Sequence, residues 1–220
     1  MKSKLLSLAI LLGLCGCGSK HEDIYVGSKP VQLYLVNKSK YSNEKVQSMI
    51  AGLNAQLAEE FKSIWIIDAN VSFQDPPDAS YRTVILLDNF SRLPNTWHKA
   101  LGFHTTGTLA YVDVEECGSD EVISLASSHE ILEMLVNPNV EPTGYEVCDP
   151  VYLLRYAYKK GNVTVSDFVY PNFYNPLAPG PYDHTGQVTN SLQPAPGGVL
   201  FATAQAMLKL STWHRGLINN

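Results

Sequence analysis

The sequence predicts an α+β fold in which a mixed β-sheet packs against two main helices. Three observations point there. Short apolar runs with period-two alternation precede and follow two long segments of helical spacing. The second of those helices carries an unusual His129-Glu130-x-x-Glu133 tetrad, bounded by clear start and stop residues. No internal repeat occurs, and no second hydrophobic block calls for its own domain, so residues 31–220 read as one domain. The chain has 220 residues, 45% hydrophobic, 10% aromatic and only 17% charged, which suits a packed core rather than long disorder. A net charge of −5 leaves no basic stripe for displacing counterions from phosphates, so a nucleic-acid partner is not expected.

Residues 1–17 read as a secretory leader, with Lys2 and Lys4 ahead of a short apolar run from Leu5 to Leu14. That run is too short to span a bilayer. Leu14-Cys15-Gly16-Cys17 resembles a bacterial lipobox, with Cys17 as the lipidated residue and Gly16 as the small residue before it. The implied location is the bacterial cell envelope, anchored by acyl chains and facing periplasm or exterior. With Ser19 and no aspartate after Cys17, a Gram-negative host would place it in the outer membrane. Residues 18–30 are polar and patternless, a short tether.

Val31 to Val36 alternates and reads as the first strand. From Ser42 to about Trp65, Val46, Met49, Ile50, Leu53, Leu57 and Phe61 share one helical face, capped by Ser42 or Asn43. Trp65-Ile66-Ile67 and Val71-Ser72-Phe73 are short strand candidates, and Asp75-Pro76-Pro77-Asp78 is a turn. Thr83 to Leu87 is a buried strand. Leu109 to Val114 is another, leading into a helix over Asp120–Val136. Tyr152 to Tyr158 and Val163 to Val169 suggest a hairpin turned by Gly161-Asn162. Pro171 to Gly198 is rich in Pro, Gly, Asn and Tyr and wraps the surface, and Leu200 to Leu210 suits a last helix. Cys117 and Cys148 lie in a disulfide-permissive compartment, either bridged or buried as separate thiols.

The helix from Asp120 carries the chemistry. Ser119 caps it, Asp120 and Glu121 suit its positive end, and Asn137-Pro138 stops it. At about 100° per residue, Val122, Leu125, Ala126, Leu132 and Val136 fall within about 60° of His129, and Glu133 within about 40°. A histidine and a glutamate thus share an apolar stripe one turn apart. Burying that carboxylate is costly unless a cation compensates it, and i, i+4 spacing sets both side chains on one side of a divalent ion. Glu130 sits at the stripe's edge, where it reaches a water on the metal. Ser128 points off the buried face. A third ligand is needed, and Tyr145-Glu146-Val147-Cys148-Asp149-Pro150 offers Asp149 first and Glu146 in reserve. His104 and His184 are weaker candidates, as loop residues or substrate contacts.

Ser128-His129-Glu130 with Glu133-Met134-Leu135 and Pro138, then Glu146-Val147-Cys148-Asp149-Pro150, then Val165-Ser166-Asp167-Phe168 with Pro171, resemble a family of uncharacterised bacterial proteins that looks zincin-like and metallopeptidase-like. Ala100-Leu101-Gly102-Phe103-His104 is similar to an upstream segment of that family. A more distant likeness is to secreted plant proteins of the exordium type, which also follow HExxE with a Glu-Ile-x-Asp segment. The resemblance spans roughly Trp97 to Gly198, and Val199 to Trp213 departs from it. It implies a zincin-like fold and a zinc peptidase acting on a peptide or protein substrate. His129, Glu133 and Asp149 would be the metal ligands and Glu130 the base. It also implies that the strand Leu109 to Val114 lines the substrate and pairs with an extended peptide.

Zincins use HExxH, whereas Glu133 replaces the second histidine here. Two carboxylates on the metal weaken its acidification of water and make manganese more competitive with zinc. The competing reading is therefore a non-catalytic surface lipoprotein whose His/Glu/Asp cluster binds metal structurally. Its Tyr152, Tyr156, Tyr158, Tyr170, Tyr174 and Tyr182 would then meet a partner or glycan, unless they are half-buried framework residues. A cysteine hydrolase using Cys148 is disfavoured, because no cation or helix N-terminus activates that thiol.

Overall fold

The computed structural model describes residues 29–91, 99–141 and 144–200. The leader, nearly all of the tether and all but the first residue of the Leu200–Leu210 helix lie outside them. Among the described residues, no helix is long and apolar enough to cross a membrane.

The architecture is α+β, built on a mixed five-stranded sheet of order β2-β1-β3-β5-β4. β1 (Val31–Asn37), β2 (Ala69–Phe73), β3 (Arg82–Leu87) and β5 (Leu109–Asp113) run parallel. β4 (Gly102–His104) is short and pairs antiparallel with β5 at one edge. In register, Leu33, Val71, Leu35, Val84, Leu86, Ala110 and Val112 form one apolar face. That face joins the buried side chains of both long helices in one contiguous core.

The first helix, α1 (Asn43–Gln56), starts at Ser42, whose hydroxyl accepts from Lys45 N, and buries Val46, Met49 and Leu53. It widens through one π turn at Leu57–Phe61 into α2 (Lys62–Trp65). The strand expected at Trp65-Ile66-Ile67 is absent. Ile66 takes a left-handed conformation (φ 57°) that ends the helix, and its side chain is exposed. After β5, one turn of helix, α3 (Val114–Cys117), ends on left-handed Gly118, and α4 spans Asp120–Val136 with Ser119 as its cap.

Helix α4 departs from the one-faced stripe. Every residue from Ile123 to Leu135 is buried, while Val122 and Val136 are only half-buried. A helix covered on all sides needs neighbours all round. The sheet supplies one side, and the hairpin β6 (Tyr158–Lys160) and β7 (Val163–Val165) helps to cover another. This hairpin is shorter than its alternating sequence suggests. Tyr152, Leu153 and Tyr156 turn into the core from irregular and 3-10 backbone, so no strand forms before Tyr158. Gly161 makes the turn at φ 61°. Cys148 and Asp149 come back against the middle of α4, where their backbone N–H groups meet Glu133, which sets up the site.

Candidate metal centre

Two elements bring chemistry to α4. The first is β4, which the sequence pattern did not reveal. Opposite Val112 and Ala110 in the antiparallel register, Gly102 and His104 share the face that packs on α4, while Phe103 turns away to Phe90 and Tyr111. Gly102 permits a close approach. A Cβ there would lie 2.7 Å from Glu130 Oε1, 2.9 Å from Glu130 Cγ and 3.0 Å from the Tyr111 carbonyl. Glu130 therefore lies directly on the strand backbone.

The second element is the returning loop. The backbone N–H groups of Cys148 and Asp149 donate to Glu133 Oε1 at 3.1 and 3.3 Å, which fixes that carboxylate. Glu133 Oε2 is left 3.1 Å from His129 Nε2, and Asp149 Oδ1 comes within 3.4 Å of the same nitrogen. The expected trio of His129, Glu133 and Asp149 thus meets at one imidazole edge. Glu146, the reserve ligand, lies on the other side. Its Oε1 accepts from Asn137 Nδ2, and its Oε2 is 3.9 Å from His104 Nε2. His104 Nδ1 stands 3.6 Å from Glu130 Oε2 and 4.0 Å from Glu133 Oε2.

Among the described residues, two groups have donor atoms all within 4.8 Å of one another: His129, Glu133 and Cys148, and His104, Glu133 and Glu146. Cys148 is a poor ligand beside Asp149. Its Sγ faces the His129 carbonyl at 3.8 Å, and burial, reinforced by Glu133, holds its thiol well above the usual range. Asp149 ionises more easily: burial and Glu133 raise it, His129 opposes them, and it settles at about 7.

The cluster is dry and acidic. His129 is 5% exposed, Glu130 2%, Glu133 4% and Asp149 5%. Burial works against a charged imidazole at His104, yet Glu130, Glu146 and Glu133 outweigh it and raise that histidine to about 9. At His129 burial is likewise overcome, by Glu133 and Asp149, and the shift is upward. Burial and Glu133 drive Glu146 up to about 9, and burial also raises Glu130. Glu133 goes the other way, because His129, His104 and the Cys148 amide outweigh its desolvation. Among the described residues no lysine or arginine pairs with these four carboxylates. Glu130 Oε2 and Glu146 Oε2 are buried without a hydrogen-bond partner. Orphaned carboxyl oxygens around two imidazoles are a donor set that suits a divalent cation.

Several expectations change. His184 is elsewhere, stacked on Phe168 and beside Tyr158. Ser128 is not turned off the buried face: its Oγ donates to Gln56 Oε1 at 2.6 Å and accepts from Ser166 N at 3.0 Å. β5 cannot receive a peptide by backbone pairing, since β3 and β4 occupy both its edges. Among the described residues, no strand pairs with the outer edge of β4. Cys117 and Cys148 are separate buried thiols. All six tyrosines from Tyr152 to Tyr182 are buried or half-buried, so they form framework rather than an open aromatic surface.

No family model matches the chain, and searches of curated proteins and of solved structures return no significant match.

Proposed function

We propose that the chain is a zincin-like, metal-dependent hydrolase, a peptidase anchored to the bacterial envelope through Cys17. The observation that carries the reading is the convergence of Glu133 Oε2 and Asp149 Oδ1 on His129 Nε2 inside a closed, apolar interior. His129, Glu133 and Asp149 would hold the ion, zinc or manganese. When bound, it polarises a carbonyl and acidifies water. Glu130 accepts the proton of the attacking water. Its carboxyl is raised by burial toward working pH, which suits a base that must also return the proton. Gly102 leaves room for that carboxylate against β4, and His104 Nδ1 faces it at 3.6 Å.

The test is metal content by elemental mass spectrometry beside turnover on a peptide library, in the full-length chain. Glu130→Gln should keep its metal and lose roughly 10²–10⁴ of turnover. His129→Ala and Asp149→Ala should lose the metal. Retained turnover in Glu130→Gln would sink the catalytic role, and a chain that stays metal-free after zinc loading would sink the site.

A specific observation favours a second reading. The His104–Glu130 pair and the near-complete burial of all four carboxylates also describe a sealed metal site with no substrate access. A non-catalytic lipoprotein with a structural ion would bind metal in the same experiment, lose it in the same variants and turn over no peptide.

A further inference from the structure

We propose that the chain binds a second divalent cation, held by His104, Glu133 and Glu146, with Glu133 bridging it to the ion at His129. This rests on the metal centre proposed above, because Glu133 is common to both groups.

Geometry supplies the first argument. Glu133 Oε1 is pinned by two backbone N–H groups, so Oε2 is the only oxygen free to ligate. That single oxygen faces both imidazoles, at 3.1 Å from His129 Nε2 and 4.0 Å from His104 Nδ1. One oxygen shared between two nitrogen donors is the layout of a carboxylate-bridged pair.

Spacing supplies the second. The contacts around His104, at 3.6, 4.0 and 3.9 Å, are all too long for N–H···O bonds. The two Nδ1 contacts, at 3.6 and 4.0 Å, approach the separation of two donors on one ion, roughly 3.3–3.6 Å when each bond is about 2.0–2.2 Å and the angle is near tetrahedral. His104 Nε2 is 3.2 Å from the Asn137 carbonyl. With Nε2–H donating there, the Nδ1 lone pair points at the Glu130 and Glu133 oxygens. A lone pair aimed at two carboxylates is repulsive unless a proton, as on the charged imidazole of the metal-free chain, or a metal ion lies between them. A backbone carbonyl holding the far nitrogen is also the usual support of a metal-bound histidine. Of the two orphaned oxygens, Glu130 Oε2 faces Nδ1 and is almost wholly buried, while Glu146, 3.9 Å from Nε2, keeps a carboxyl oxygen within 4.8 Å of the His104 and Glu133 donor atoms.

Charge supplies the third. Glu130, Glu133, Glu146 and Asp149 carry four negative charges once metal displaces their protons, and no lysine or arginine pairs with them among the described residues. One divalent ion with neutral imidazoles leaves two charges uncompensated in a dry interior. Two divalent ions with neutral imidazoles bring the sum to zero, the arrangement that burial favours. Because carboxylate oxygens dominate the second site, a hard ion such as manganese suits it.

The experiment loads the full-length chain with Mn(II), or with Zn(II) in parallel, removes excess ion, and counts equivalents by elemental mass spectrometry. Wild type should hold about two equivalents, and His104→Ala and Glu146→Gln about one each. The Mn-loaded wild type, which depends on no variant folding, should give the exchange-coupled multiline electron paramagnetic resonance signal of a bridged pair. One equivalent in wild type, unchanged in His104→Ala and lost in His129→Ala, overturns the second ion and leaves the first standing. An isolated Mn(II) signal at saturation overturns the bridge. No bound metal at all overturns both.

Discussion

Glu130 owes its position to a residue with no side chain. Gly102 contributes no functional group, yet any Cβ there collides with the Glu130 carboxylate on one side and the fixed Tyr111 carbonyl on the other. The strand backbone cannot yield without breaking its pairing with β5, so the carboxylate must move. Gly102→Ala should therefore destabilise the fold by about 1–3 kcal/mol, the usual cost of overfilling a packed interior. It should also cut any Glu130-dependent turnover while leaving the ion at His129, because Glu130 is not among that ion's proposed ligands. Urea denaturation and elemental analysis of the same preparation check both parts. A wild-type unfolding midpoint would show that the strand has more room than the contact distances allow. The residue next but one, His104, illustrates what the sequence concealed. Its alternation with Gly102 becomes meaningful only once β4 is known to be a strand. Three residues that begin on glycine and end on histidine carry no periodic signal.

Among the elements, α4 was legible because its signals are local. Ser119, the acidic first turn and Asn137-Pro138 mark both ends, and the helix spans Asp120–Val136 as they require. What covers it was not legible, since pairing and packing join segments far apart in the chain. The periodicity of its apolar residues predicts one buried face. The structure buries every face, and Ser128 shows how. Its hydroxyl links α4 to Gln56 of α1 and to the Ser166 backbone just after β7, while Gln56 Nε2 donates to the Ser166 carbonyl at 2.7 Å and to Tyr158 Oη at 3.0 Å. Polar residues inside this interface are tolerated because each finds a partner. Ser128→Ala would strand Gln56 Oε1 and the Ser166 N–H together, so a loss of roughly 1–3 kcal/mol is expected in chemical denaturation. A change within a few tenths would mean that water or a rotated Gln56 replaces the hydroxyl. Where strands were misread, burial again decided. Tyr152 to Tyr158 alternates as a strand should, but its aromatic residues serve the core from irregular backbone, and only the last of them enters the hairpin.

For the whole molecule, placing the acidic cluster at the centre ties folding to proton and metal binding. Asp149 at about 7, Asp167 at about 8 and Glu146 at about 9 all sit above the unfolded carboxylate range near ~4. For Asp167 the causes are burial and the neighbouring Asp183, opposed by Thr185. Between the unfolded and folded values, the folded chain holds protons that the unfolded chain has released, so stability falls as pH rises through that interval. His104 acts with the same sign. Raised from about 6.5 to about 9, it contributes stability below the lower value that is lost as pH climbs to the upper one. Glu133, lowered, opposes only in acid. The metal-free chain should thus lose thermal stability steadily from about pH 5 to pH 9. Metal binding reverses the trend, because ions compete with protons for these ligands and bind more tightly as pH rises. At about 100 times its dissociation constant, one ion adds about 2.7 kcal/mol, or roughly 5–11 °C in a chain of this size. The gap between metal-loaded and metal-free melting curves should therefore widen with pH and narrow in His129→Ala. Asp167→Asn, which mimics the protonated acid away from the ligands, should flatten part of the metal-free slope without changing the gap. Melting curves that run parallel across the pH range, with and without metal, would separate the buried carboxylates from any ion and return them to a purely structural network.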